Sequence, residues 1–379
     1  MNYNWTEKLS PMIGVPMLDI PAGDEVPPEL QPRECYITKL NKLNEQVNDN
    51  HYQYKYQYYL SRIKSPTEQK ISKIERLIEL EKKKNEMLDN EISTLYAEIN
   101  NWINYTDNDA DLKEYDAQYQ TIDKPFSANH MHDDDFFAYW RLAGNNPVSI
   151  HGVTSLPSNF PLTEEQYHSV MGEDDSLSDA LKEKRIYMLD YNNISSATAE
   201  EGVSKPATDN DSISVISVVG YSYAPMALFS VSKKDKRLKS VAIQCGQNPD
   251  HGNPMFLALK DEKYRWGWEQ AKMVIQAADK TEHQLCSHFG LTHLLCEAFA
   301  VATIRNLKAG HPVYDLLISH FEGTNRINHN AISSLLGPGQ FVDTSMAAPL
   351  TNLAQKAIDI RLNCNFYEHF LPAKLKSRG

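Results

Sequence analysis

The apolar positions divide the chain into stretches of different period. Residues 1 to 33 are rich in proline and carry little periodicity, which predicts an irregular arm. From Cys35 to about Leu60 the pattern is ambiguous. Tyr52, Tyr54, Tyr56 and Tyr58 alternate as a strand would, yet helical patterns flank them. Ser65-Pro66-Thr67 opens the clearest helix, predicted to run to about Ile103; Pro66 and Thr67 suit a helix start, and Glu68 favours the positive end of the dipole. Ile71, Ile74, Ile78, Leu88, Ile92, Leu95, Ile99 and Trp102 keep a three-four spacing, broken in the middle by Glu81 and Asn85. A sustained coiled coil needs more regular heptads, so the pattern favours a long helix paired with a neighbour at both ends.

Composition changes near Pro125. In HMHDDDFFAYWRLAGNNPVSI, Asp133 to Asp135 suit the first turn of a short helix that ends at Gly144-Asn145. His130, His132 and these aspartates could bind a metal, but charging a helix start is the plainer reading. β-branched and aromatic runs from Arg185 to Ile194 and from Ala224 to Gln244 predict strands, the second a hairpin with its lysine-rich segment at the turn. AEEGVSKPATDNDS between them has the composition of a surface loop. Trp266 to Val301 is a long helix, apolar on nearly all sides, and belongs in the middle of a large domain. A helix from about Val313 to Phe321 and others to about Asp359 follow.

The 379 residues suffice for one large domain or two ordinary ones, and 50 Asp plus Glu against 38 Lys plus Arg argue against a nucleic-acid partner. Five scattered cysteines without a CxxC suggest neither a disulfide framework nor a thiolate metal site. The N-terminus lacks the features of a signal peptide, and no unbroken run approaches the roughly 18 apolar residues of a transmembrane helix. The sequence therefore reads as soluble and cytoplasmic.

Candidate chemistry concentrates in the apolar helix and just after it. His283, His288, His293, His311 and His320 fall within 38 residues. Imidazole is the commonest metal ligand and suits borderline metals. Residues five apart on an ideal α-helix lie about 140° apart around the axis, so His288 and His293 could not share an ion there. A π-type turn, with its i→i+5 hydrogen bond, returns them to one face, and the spacing predicts one.

The string H-x4-H-x4-H-x17-H-x8-H, with the neighbouring ATIRNL and GHPVYDLL, resembles the lipoxygenases. The resemblance runs from about Asp133 to the end, is strongest from Trp266 to Leu335, and includes Arg141-Leu142-Ala143-Gly144 with Asn146-Pro147. It implies a mainly α fold: a lipoxygenase-type helical catalytic domain, incomplete, with a small β region and an N-terminal helical extension. The expected divisions are an arm over 1–33, a helical region over 34–125, and the N-terminal half of the catalytic domain over 126–379. The implied activity is dioxygenation of polyunsaturated fatty acids at non-haem iron, with O2 trapping a pentadienyl radical in an apolar tunnel. By the same resemblance His288 and His293 are iron ligands, and Gln284 relays hydrogen bonding between the iron shell and the substrate cavity. His283, His311 and His320 are structural histidines or hydrogen-bonded supports behind the ligands. Phe289, Ala331 and Leu335 line the substrate and O2 cavity, and alanine at the position of Ala331 goes with S products.

The chain departs from the family at both ends. No β-sandwich pattern precedes residue 125, and the helical segment stands in its place. The family continues for several hundred residues beyond the point matching Gly379, and that part brings a third histidine, an asparagine or histidine, and a terminal isoleucine carboxylate. Neither His329 nor His369 sits in the context of the third histidine. Three readings follow: a lipoxygenase completed by a separately encoded C-terminal half, an inactive remnant, or an interaction protein that uses the helix from Thr67 to Ile103.

Overall fold

The computed structural model describes residues 6–10, 14–20, 26, 28–83, 89–103, 112–206, 217–249 and 252–379. They form two compact units, one of residues 1–31, 130–205 and 219–379, the other of 32–129 and 206–218.

The arm expected to be irregular instead opens the first unit with a hairpin. Strands β1 (Thr6–Leu9) and β2 (Pro16–Asp19) pair antiparallel, with Glu7 opposite Leu18. Gly14, at φ +69°, makes the turn that lets its N–H reach the Ser10 carbonyl at 2.7 Å. Strands of four residues are too short to carry a period-two signal among prolines, which is why the pattern hid them.

The second unit is helical. The tyrosine-rich stretch lies in one 29-residue helix, α1 (Glu34–Arg62), which resolves its ambiguity toward helix. The single helix expected from Thr67 to Ile103 is a helical hairpin: α2 (Glu68–Lys83) runs out and α3 (Asp89–Asn100) returns. Arg76 Nε meets Glu91 Oε1 at 3.0 Å, and Ile63 bridges antiparallel to Ile103, so the ends of the segment come back together. Asn85 and Leu88 lie outside the described residues. Folding back buries Ile74, Leu77 and Leu80 against Ile92, Leu95 and Ile99, whereas a straight helix would leave half the stripe exposed. Glu81, which broke the stripe, points inward: Lys55 Nζ pairs with its Oε1 at 2.8 Å, and the Tyr96 hydroxyl bonds both. Helix α4 (Leu112–Ala117) follows.

In the first unit, α5 (Asp134–Ala143) starts as the charge pattern predicts, with the Asp133 carboxylate accepting the N–H groups of Asp135 and Phe136. The elements β3 (His151–Gly152), α6 (Glu164–Met171), α7 (Leu177–Lys182) and β4 (Ile186–Asp190) come next. The segment read as a surface loop is partly strand, β5 (Ala199–Pro206), paired with β6 (Ser217–Ser222); residues 207–212 of it lie outside the described set. The predicted hairpin forms from β7 (Met226–Val231) and β8 (Leu238–Gln244), and β9 (Met255–Leu257) completes a sheet of order β3-β4-β7-β8-β9.

This sheet is buried on both faces. Ile186, Met188, Met226 and Leu228 pack with Tyr167, Leu177 and Ala180 of α6 and α7. Leu189, Ala227 and Phe229 point the other way, into a core shared with Trp268, Ala271 and Ile275 of α8 (Arg265–Glu282). The chain continues from α8 without a break through a π-helical segment (His283–Leu294) into α9 (Leu295–Asn306). Helices α10 (Pro312–Ile318), α11 (Thr324–Ser334), α12 (Phe341–Ser345), α13 (Leu350–Leu362) and α14 (Leu371–Arg378) follow. Helix α13 packs on the π segment, where Gly290 makes the close approach possible: a Cβ there would lie 2.9 Å from Ile360 Cγ2.

One sequence expectation is corrected along this helix. By length and composition Glu262–Asn306 is apolar enough to cross a membrane. Counting unbroken apolar runs missed it, because isolated histidines and Glu297 interrupt the runs without making the stretch polar. One face of the helix packs against the sheet and α13, and 33% of the apolar window is buried.

Candidate metal centre

The site is built on the π segment, where the five-residue spacing required one. The wide winding covers all twelve residues from His283 to Leu294. It brings the rings of His288 and His293 to a centroid separation of 4.6 Å and their Nε2 atoms to 3.0 Å. On a regular α-helix the two rings would diverge.

The other nitrogen of each ring is held. His288 Nδ1 lies 3.0 Å from Gln284 Oε1, and His293 Nδ1 lies 2.7 Å from Asn328 Oδ1. An amide oxygen only accepts, so Asn328, whose NH2 is held elsewhere, puts the His293 proton on Nδ1, and Gln284 with its oxygen toward His288 does the same there; each Nε2 then presents a lone pair. Two lone pairs facing each other at 3.0 Å repel unless a cation lies between them. The spacing suits a metal: two nitrogens at about 2.1 Å from an ion and about 90° apart are about 3.0 Å from each other. A shared proton is the competing occupant. Burial, and after it the positive charge His293 and His283 would carry, push the His288 imidazole below its ordinary range and oppose that protonation.

The remaining residues singled out from sequence fall at graded distances from this pair. His283 stacks nearly parallel on His288, with centroids 5.9 Å apart. Phe289 and Ala331 are partly buried against the core that holds α8 and α13. Leu335, at the end of α11, is exposed. His311 and His320 are not brought to the pair. His311 caps α10 by accepting the Val313 N–H on Nδ1 at 3.2 Å, and His320 Nδ1 donates to the Leu316 carbonyl at 2.9 Å. Both are exposed and serve their own helices, which is the structural one of the two roles the sequence left open. Among the described residues no third His, Cys, Asp or Glu joins His288 and His293 in a ligand group.

Sequence reasoning missed Asn328 and Glu297, respectively 2% and 3% exposed. The Asn328 amide is fixed in orientation, because Nδ2 donates to Glu297 Oε2 at 2.7 Å and to the His293 carbonyl at 3.1 Å. Glu297 Oε1 in turn accepts the Leu18 N–H of β2 at 2.8 Å. Burial pushes the Glu297 carboxyl above its usual range, and these two hydrogen bonds pull against that rise. A lone glutamate in the apolar run LLCEAFAVATI was the available signal, since a buried carboxylate requires partners.

Comparison with known proteins places this arrangement in context. A family model described as Lipoxygenase matches residues 44–379, so the match also takes in most of the N-terminal helical region. The linoleate 9/13-lipoxygenase of Pseudomonas aeruginosa is 43% identical over 270 residues, covering 71% of this chain and 38% of that protein. The crystal structure of coral 8R-lipoxygenase superposes with a TM-score of 0.61 at 30% identity, over 71% of this chain and 38% of that one. A LOX deletion variant, Delta413-417:GS, reaches a TM-score of 0.68 at 25% identity over 99% of this chain and 47% of its own. The chain thus spans less than half the length of the relatives it matches.

Proposed function

This chain belongs to the lipoxygenase family, and on that premise we propose that it carries part of the iron centre of a fatty acid dioxygenase. The observation that carries the reading is the pair of Nε2 lone pairs converging at 3.0 Å on a π-helical segment. His288 and His293 would hold iron in two adjacent positions, with Gln284 and Asn328 keeping both rings in the metal-ready tautomer. Iron held there would supply the one-electron oxidation that starts attack on a cis,cis-pentadiene. Phe289 and Ala331, beside the pair on the π segment and α11, would bound the space for substrate and O2. The remaining ligands would come from a C-terminal part, on this chain's own continuation or on a separate one, as in the relatives' additional length. Five unpaired cysteines support work in a reducing compartment such as the cytoplasm.

Titration of the 379-residue chain with Fe(II) under anaerobic conditions, followed by calorimetry, tests the centre. One weak site per chain is expected. His288→Ala and His293→Ala should each remove it, and His329→Ala should leave it unchanged. Equal binding by all three variants would sink the assignment.

The partner half of the proposal rests on the surface from Leu362 to Leu375. Leu362 is 72% exposed and Tyr367 84%, with Phe366, Phe370, Leu371 and Leu375 also open. Exposed apolar side chains gathered along one segment suit an interaction surface. The isolated chain should raise the fluorescence of a hydrophobic dye at micromolar concentration, and adding the C-terminal portion of a relative should quench it. A dye-negative chain that stays monomeric would count against a missing partner.

A further inference from the structure

The contacts around His293 form a directed relay that starts in another part of the chain. The Leu18 N–H of β2 holds Glu297 Oε1, Glu297 Oε2 holds Asn328 Nδ2, and Asn328 Oδ1 holds His293 Nδ1. Each link is polar, and Glu297 and Asn328 are almost fully buried, so neither can trade its partner for water. The direction of the relay is forced by chemistry. A carboxylate only accepts, so Asn328 turns its NH2 toward Glu297, with a second and longer bond to the His293 carbonyl at 3.1 Å, and its oxygen toward His293 Nδ1. That oxygen in turn obliges His293 to carry its proton on Nδ1 and to leave Nε2 bare.

We propose that Glu297 and Asn328 are positioning residues that set the tautomer of His293, with the N-terminal hairpin as the fixed end of the relay. Gln284 plays the corresponding part for His288, but its amide nitrogen has no comparable buried acceptor among the described residues, so the two ligands differ in how firmly they are set. On this reading the arm, some 275 residues away in sequence (Leu18 to His293), is a component of the site. The inference rests on the metal reading for its purpose, though its geometry stands without any metal.

Glu297→Gln tests the relay with almost no change of shape. The new side-chain amide still accepts from Leu18 through its oxygen, but its NH2 then faces the NH2 of Asn328; that donor–donor clash outweighs the longer 3.1 Å bond to the His293 carbonyl and turns the Asn328 amide over. Asn328 would present NH2 to His293 Nδ1, and the proton of His293 would move to Nε2. NMR of the metal-free full chain labelled with 15N-histidine should show His293 as the Nδ1–H tautomer in the wild type and Nε2–H in E297Q, with His288 unchanged. Affinity for Co(II), used as the probe, should fall about 10–100-fold in E297Q.

The double variant E297Q/N328D restores the order of donors and acceptors, since a carboxylate at position 328 can accept both from the new amide at position 297 and from His293. It should recover the Nδ1–H tautomer and most of the Co(II) affinity, a rescue that loss of packing cannot produce. Should E297Q fail to fold, the double variant alone decides: Nδ1–H at His293 supports the relay and Nε2–H overturns it. An E297Q protein that keeps Nδ1–H at His293 also overturns it. A tautomer switch between wild type and E297Q as expected, together with no Co(II) binding by the wild type, would uphold the relay and refute the metal reading.

Discussion

Joined to the C-terminal portion of a relative such as the Pseudomonas aeruginosa protein, this chain should form conjugated diene from linoleate, and His288→Ala or His293→Ala should return it to background. Without that addition, the 379-residue chain with added iron should show little or no turnover. The reason is the ligand count. Two imidazoles converge, and no third His, Cys, Asp or Glu joins them among the described residues. An ion held at two positions is weakly bound and poorly tuned, because the protein must fix both geometry and coordination number for metal chemistry. Loss of a ligand should exceed the about 10–100-fold that outer hydrogen-bond partners contribute. His329→Ala, outside the pair, should leave the joined enzyme within about twofold of wild type, within the range of substitutions that touch no special feature. Absorbance at the diene band, read with each variant at equal iron loading, decides the matter. Robust turnover by the chain alone would show that the iron sphere is completed by residues other than these.

The parts of this site that were legible in the sequence are those where geometry leaves a single solution. Histidines five apart can converge only on a widened helix, and His288 and His293 do so on a π segment. The hairpin of β7 and β8 was legible because its apolar strands flank an obvious polar turn. What stayed hidden depends on contacts between distant residues. Glu81 reads as a break in an apolar stripe, and only the position of Lys55 and Tyr96 turns it into a buried partner. The fold-back of α2 on α3 follows from the same pairing rather than from any period. Asn328 sits in a helix with other asparagines, RINHNAISS, and nothing local separates it from Asn325 or Asn330. Its role appears once α11 lies against α9 and the π segment. His311 and His320, which the sequence left as structural or supporting histidines rather than ligands, make a helix cap and a backbone contact one turn away, and only their contacts choose between those two roles.

The largest stability effect should come from Arg141→Ala, which removes the cation at the centre of a buried polar cluster below the site. Arg141 is 2% exposed, and its Nη1 pairs with Asp279 Oδ2 at 2.8 Å while its other nitrogens bond Gln276 and the Phe137 carbonyl. Asp279 Oδ1 accepts from the Tyr191 hydroxyl at 2.6 Å and from Asn146 Nδ2 at 3.0 Å. Asn146 continues to Glu282 Oε2 at 2.6 Å. Asp279 and Glu282 occupy the last turn of α8, so this cluster clamps the helix where it widens into the π segment. Removing the guanidinium leaves a buried carboxylate without its counter-ion, at a cost of about 3–5 kcal/mol, as breaking a buried pair from one side usually does. The loss should appear as a lower urea midpoint with an unchanged slope. The double variant R141M/D279L, which takes away both charges, should be clearly less destabilised than the sum of its single variants, because only the singles leave a charge unpaired. It should still bind Fe(II) less well than wild type, since the turn that delivers His283, Gln284 and His288 to the site has lost its anchor. Additive losses in the double variant, or wild-type stability in R141A, would show that the cluster is incidental to the helix it holds.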